Sequence, residues 1–347
     1  METTDCSFHH DDVIHSMPGR HTLICYKILL SIATLIGDSL VLIGTIKYDA
    51  LKLHKVLVAL IQQVAVADIL LILFSVIPGS VALVADRWIL GNPLCVISYT
   101  VNAVCETFIC YLIAAIALSK VLIVKYPLEA LTFSHMREVY LGVVGVWILS
   151  FTFPVIVIAK NVDDVEFSCD VYNCIGHFSS KWTSVEETLF DVAVGVSVLV
   201  GTMLTVVSSL LVIILAKRSI QRETSRLQST GNLQRQGVLT VLLTAGFHFL
   251  FSLPLIAYFI VSSFYDPRSN QKYNTPEDYL NTILFPIVWN IALLSVAVNF
   301  FVTSLTVSSF RVFIKSGLRR LTIWPVRIVG MAPYEEEERQ RLLSDCN

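Results

Sequence analysis

The chain of 347 residues is 55% hydrophobic and only 15% charged, with a mean hydropathy of +0.70. A soluble protein of this length carries roughly 25% charged residues, so an ordinary soluble globular domain is excluded. The formal net charge of −2 excludes nothing by itself; what matters is where the charges fall.

Residues 1–20 are polar and acidic, with neither the basic start nor the apolar core of a cleavable signal peptide. Seven apolar runs follow, at about 24–46, 57–84, 95–124, 139–159, 189–216, 238–263 and 280–310. A run of roughly 18 or more apolar residues is long enough to cross the hydrocarbon layer as a helix. The longest runs predict tilt or extension past the membrane. The segments 47–55, 120–137 and 217–235 and the tail from Arg311 hold 18 basic residues, against seven on the other side. The positive-inside rule therefore places the N-terminus outside and the C-terminus in the cytoplasm. After the seventh run, FRVFIKSGLRRLTIW (Phe310 to Trp324) alternates apolar and basic residues, as an amphipathic helix on the inner leaflet does.

Short motifs then fall in a particular order. WILGNPLC (Trp88 to Cys95) opens the third run, Lys120 lies 25 residues after Cys95, and Pro127 seven after that. GDSLV (Gly37 to Val41) lies in the first run, VAVADILL with Asp68 in the second, and Trp147 and Pro154 in the fourth. FSLP (Phe251 to Pro254) lies in the sixth, NFFVT (Asn299 to Thr303) in the seventh, and SSFR (Ser308 to Arg311) closes the series. In order and spacing these resemble the motifs of rhodopsin-like G-protein-coupled receptors, over roughly residues 24–322. The resemblance implies an all-α membrane protein: a seven-transmembrane helix bundle over 24–310, with an extracellular tail 1–23. A short amphipathic eighth helix and cytoplasmic tail follow at 311–347. It implies a plasma-membrane receptor that binds an extracellular ligand and activates a heterotrimeric G protein.

The departures from the family pattern are as informative. Asp38 replaces an asparagine, Ser119 and Lys120 replace the acid and arginine of D-R-Y, and Ser252 replaces a tryptophan. Phe300 and Thr303 replace the proline and tyrosine of N-P-x-x-Y, and Leu293 stands where an opsin has its retinal lysine, so light sensing is excluded. Without an acid at 119 the resting ion pair of the family is missing, which predicts either raised basal signalling or poor coupling. Lysine at 120 keeps the charge but not the planar fork of arginine; its plainer reading is an interfacial lysine that snorkels.

An ionisable side chain within a membrane span is costly and by default marks function. The resemblance places Asp38 and Asp68 in one polar core beside Asn299. Two carboxylates close together in low dielectric cannot both ionise cheaply. Either one is protonated and hydrogen-bonds the other, or a cation, a sodium ion in the family, sits between them; a protonated Asp38 that merely packs helices is the plainer alternative. No metal site, nucleic-acid partner, other cofactor or catalytic constellation is expected. Asn102 and Glu106 lie four residues apart, on one face of the third helix with Cys95, and the resemblance makes that face the ligand pocket, joined by Trp289 and Asn290. Asparagine at 102 disfavours a monoamine. Fifteen acids on the outer side, against seven basic residues, weakly favour a basic peptide. Lys27 and Asp191 lie near outer helix ends and are expected to snorkel.

The family also bridges Cys95 to a cysteine of the second outer loop. Cys169 is favoured, because VEFSCDVY alternates like a hairpin strand; Cys174 is the other candidate, and it could instead pair with Cys6. Cys105 and Cys110 read as small packing residues. Near the end, Glu338 with Leu342 and Leu343 resembles the acidic dileucine signal read by clathrin adaptors. Two other functions remain open: a ligand-scavenging receptor that does not signal, and a cation transporter or channel using Asp38, Asp68 and Glu106.

Overall fold

The computed structural model describes residues 17–48, 55–125, 136–160, 165–168, 172–176 and 285–306. It also describes isolated helical stretches between 196 and 257, and residues 310 and 312–316. Helix α1 spans Met17–Tyr48, starting ahead of the apolar run at 24. In a bilayer the backbone must satisfy its own hydrogen bonds, so even a run rich in β-branched residues is helical. One face of α1 is exposed and apolar (Ile28, Ile32, Ile36, Ile43, Ile46), while Lys27, Ser31, Thr34, Asp38 and Thr45 are buried. That is the reverse of a helix in water and fits a helix whose outer face meets lipid.

Helix α2 (Lys55–Leu71) runs through a π turn (Ile72–Val76) into α3 (Ile77–Ala85). The break has a cause in the sequence. Pro78 has no N–H to donate and stands at the start of α3. The helix widens there, and the N–H of Ile77 bonds to the carbonyl of Ile72, five residues back. Asp86, left-handed at φ 59°, closes α3, and Gly91, at φ 80°, precedes the next helix.

Helix α4 (Asn92–Lys125) is the central element and packs against α2 and α5 (Met136–Lys160). Phe108 of α4 is fully buried and stacks on Trp147 of α5, ring centroids 3.7 Å apart. Helix α6 (Phe285–Thr306) packs on α1. There Phe300 lies on Gly37, where a Cβ would come within 2.5 Å of the ring, and Gly44 likewise admits Phe310 and Phe313. The main core joins Leu57, Leu60, Val64 and Leu71 of α2, Phe108 and Leu112 of α4, and Leu293 and Val296 of α6.

Four helical segments among the described residues are long and apolar enough to cross a membrane: Arg20–Ile46, Lys55–Ala85, Asn92–Ser119 and Val139–Ile156. They correspond to the first four apolar runs, and α6 falls in the seventh. The described positions of the fifth and sixth runs are helical. Strands β1 (Val165–Ser168) and β2 (Asn173–Gly176) form an antiparallel hairpin with Phe167 opposite Cys174. The hairpin packs on α3 and α4, with Val165, Phe167, Tyr172 and Cys174 in a small outer core with Ala82, Leu83 and Cys95.

Candidate functional site

The bridge is Cys95–Cys174, Cα atoms 5.4 Å apart, and not Cys95–Cys169. The alternation in VEFSCDVY does mark a strand, β1, but that strand ends at Ser168, and Cys169 lies outside the described residues. It is the second strand that brings a cysteine to α4. The bond fixes β2 over the outer end of α4, directly above the face that carries Asn102.

Asn102 is buried, and its carbonyl oxygen accepts a hydrogen bond from the Ser75 hydroxyl at 3.0 Å. Ser75 belongs to the π turn, so the widened backbone presents it to α4. Ser75 in turn accepts from the side-chain amide of Asn173, at 2.8 Å. The Asn173 carbonyl oxygen accepts from the Ser98 hydroxyl at 3.1 Å and from the backbone N–H of Cys174 at 2.9 Å. Ser75, Ser98, Asn102 and Asn173 are all buried, and all are hydrogen-bonded to one another. Asn173, Ser75 and Ser98 were not singled out by sequence. A neutral polar residue in a loop carries no pattern, and only the proline at 78 hinted that the second span departs from a regular helix.

A second set of polar contacts holds the same corner from the side of α1. The Arg20 guanidinium pairs with Asp86 at 3.1 Å and donates to the carbonyls of Leu83 and Val84. The Tyr172 hydroxyl donates to Asp86 at 3.1 Å. Lys27 is only 2% exposed, contrary to the expectation that it snorkels, and its ammonium points at the Tyr172 carbonyl 3.5 Å away. The hairpin covers the outer end of α1, so the position of Lys27 along the helix misled. Asp191 lies outside the described residues.

Glu106, one turn deeper than Asn102, is partly buried. Cys105, next to it on α4, is buried. Asp68 is buried in α2. Asp38 is 0% exposed and, among the described residues, neither of its carboxylate oxygens has a hydrogen-bond partner; the same holds for the hydroxyl of Thr34, one turn away on α1. These are oxygens suited to a hard cation or a proton. No cluster of three or more His, Cys, Asp or Glu residues suited to a metal occurs among the described residues.

Trp289 is buried in the main core, and the Asn290 carbonyl accepts from the Tyr26 hydroxyl, tying α6 to α1. The Ser119 hydroxyl donates to the Ile116 carbonyl of its own helix at 2.8 Å. The side chains of Lys120 and Asn299 lie outside the described residues, as do Glu338, Leu342 and Leu343. Cys105 and Cys110 are buried in α4.

The sequence profile of the family described as 7 transmembrane receptor (rhodopsin family) matches residues 37–302. The annetocin receptor of Eisenia fetida is 29% identical over 49% of this chain and 40% of its own length. Dopamine receptor 2 of Caenorhabditis elegans is 30% identical over 42% of this chain and 18% of its own. The 5-hydroxytryptamine receptor 2 of Aplysia californica is 26% identical over 44% and 34%. The chain thus matches less than half the length of each of these relatives.

Proposed function

This chain belongs to the rhodopsin family of seven-transmembrane receptors, and on that premise we propose that it binds an extracellular ligand within the bundle and activates a heterotrimeric G protein. The observation that carries the reading is the polar face of α4. Glu106 lies one turn below Asn102, beneath a hairpin bridged to Cys95. A charged ligand group reaching Glu106 would shift a two-state helix arrangement. On this reading the bundle spans 24–310, flanked by an extracellular tail 1–23 and a cytoplasmic amphipathic helix and tail 311–347. On the same reading the chain is a multi-pass protein of the plasma membrane with its N-terminus outside, which the basic residues of its inner segments favour.

Asn102 is engaged by Ser75, which leaves Glu106 as the acid for a ligand cation; Trp289 and Asn290 stand on α6, which packs on α1 and α2. The acidic outer side favours a basic peptide over a small amine. The Asp38 and Thr34 oxygens, with Asp68 on the neighbouring helix, are the donors that would hold a sodium ion. Lys120 faces the G protein, and Glu338, Leu342 and Leu343 engage a clathrin adaptor. The test is a screen of basic peptides against wild type and Glu106→Gln. Active peptides are expected to lose about tenfold or more in potency in the variant, the loss of one charge-assisted hydrogen bond. Unchanged potency removes Glu106 from the pocket.

One observation favours the second reading, a receptor that captures ligand without signalling. The Ser119 hydroxyl is spent on its own helix at Ile116, so nothing at that position can hold Lys120 by an ion pair. Ligand uptake without nucleotide exchange is the result that would establish it.

A further inference from the structure

The polar corner of the hairpin has an unusual degree of support. Tyr172 is buried yet has φ 47°, a left-handed conformation that a bulky aromatic residue adopts only when its surroundings impose it. Its carbonyl lies against Gly79, where a Cβ would come within 2.5 Å of the oxygen, so only glycine admits it. Its hydroxyl is held by Asp86, and Asp86 by Arg20. The next residue, Asn173, reaches past Ser98 to Ser75 in the π turn, and the residue after that is bridged to Cys95. Residues from α1, the π turn, α3 and α4 thus converge on two consecutive loop residues. Asn173 uses both ends of its side-chain amide, and Ser75 both donates and accepts. A fully connected buried network of this kind specifies one arrangement, and it becomes costly when any member is withdrawn.

We infer that the Tyr172–Asn173 corner is a tethered wedge. It fills the crevice between the π turn of the second span and α4, so that Ser75 accepts from the chain's own amide while donating to Asn102, and Ser75 opens to an outside group only when the wedge withdraws. Asn102 is linked to the wedge through Ser75. A ligand that replaces the Ser75 hydroxyl on Asn102 also breaks the Asn173–Ser75 hydrogen bond. The π turn, a geometry often found where helices carry function, is the element the wedge holds. The bridge at Cys174 keeps the wedge beside the crevice after release, so that withdrawal is reversible.

The inference stands on geometry alone and does not require G-protein coupling, so it is tested without a ligand or a G protein. The full chain is placed in lipid nanodiscs as Ser75→Cys and as Ser75→Cys with Asn173→Ala, and reacted with a charged, water-soluble thiol reagent. The same two proteins with Ser75 intact give the background from the native cysteines. With Asn173 present, Cys at 75 is expected to react about tenfold more slowly than without it, since opening must break the amide's hydrogen bonds. Equal rates, or rapid reaction with Asn173 in place, overturn the wedge. Retention of the Cys95–Cys174 bridge reports that the variants have folded. If the Asn173→Ala chain does not fold, hydrogen exchange of the wild type decides. The Cys174 amide is expected to exchange as slowly as the central amides of α4, and exchange at the rate of an open loop overturns the inference.

Discussion

The outer corner of this receptor and the middle of its first helix handle buried polarity in opposite ways. At the corner, Ser98, Asn173, Ser75 and Asn102 form a chain of hydrogen bonds beneath the disulfide. In α1, Asp38 and Thr34 are fully buried with no hydrogen-bond partner among the described residues. A buried polar group without a partner costs free energy, whereas a satisfied network rigidifies the fold around it. The corner is therefore built for one arrangement. The middle of α1 keeps an unsatisfied demand that a cation or a proton can meet, and groups of that kind respond to conditions. Both places also hold a glycine that a neighbour crowds: Gly79 meets the backbone carbonyl of Tyr172, and Gly37 meets Cβ and Cγ of Phe300, the root of a side chain.

Five substitutions probe this contrast. Cys174→Ser is expected to have the largest effect, about 4 kcal/mol from loss of a cross-link between residues 79 apart in sequence. Thermal unfolding of the purified protein reads it, and Cys169→Ser should leave the midpoint where it was. A drop with Cys169→Ser instead would return the bridge to the cysteine first favoured. Gly79→Ala and Gly37→Ala come next, each at about 3 kcal/mol of overpacking, against the Tyr172 carbonyl and against Cβ and Cγ of Phe300. Unchanged stability in either variant would mean that the close approach at that glycine is absent. The smallest effect belongs to Asp38→Asn, and its sign is the informative part. In choline buffer the amide should raise stability by about 1 kcal/mol, by removing a buried acid that lacks partners. Replacing choline with sodium should stabilise the wild type and not the variant. A variant that is less stable in choline would mean that Asp38 already has a partner.

Much of this was legible in the sequence, for a physical reason. Lipid demands long apolar helices, so the runs mark spans directly, and an acid within a run, such as Asp38 or Asp68, announces itself. The hairpin was legible as alternation, since β1 carries Val165 and Phe167 to one side. Which strand would carry the bridge was not, because alternation does not say which edge of a hairpin faces a neighbouring helix. Lys27 misled for a similar reason: its distance from the helix end is written in the chain, but the loop that covers it is not. The Ser75–Asn102–Asn173 set was invisible, since small neutral polar residues are common in both loops and spans and only tertiary contact gives them meaning. Asn102 was read as a pocket residue, and the structure gives it a partner within the chain.

The claim on which the account turns is that the bundle acts on a G protein from its inner face. Its most direct measurement is nucleotide exchange by a heterotrimeric G protein added to the full chain in nanodiscs, with wild type and Lys120→Ala compared against empty discs. The account predicts exchange above the empty-disc rate, either basal or with an active peptide, that falls by about tenfold in Lys120→Ala, the size of one lost charge-assisted contact. Exchange at the empty-disc rate for both proteins, in the presence of a peptide shown to bind, would contradict it.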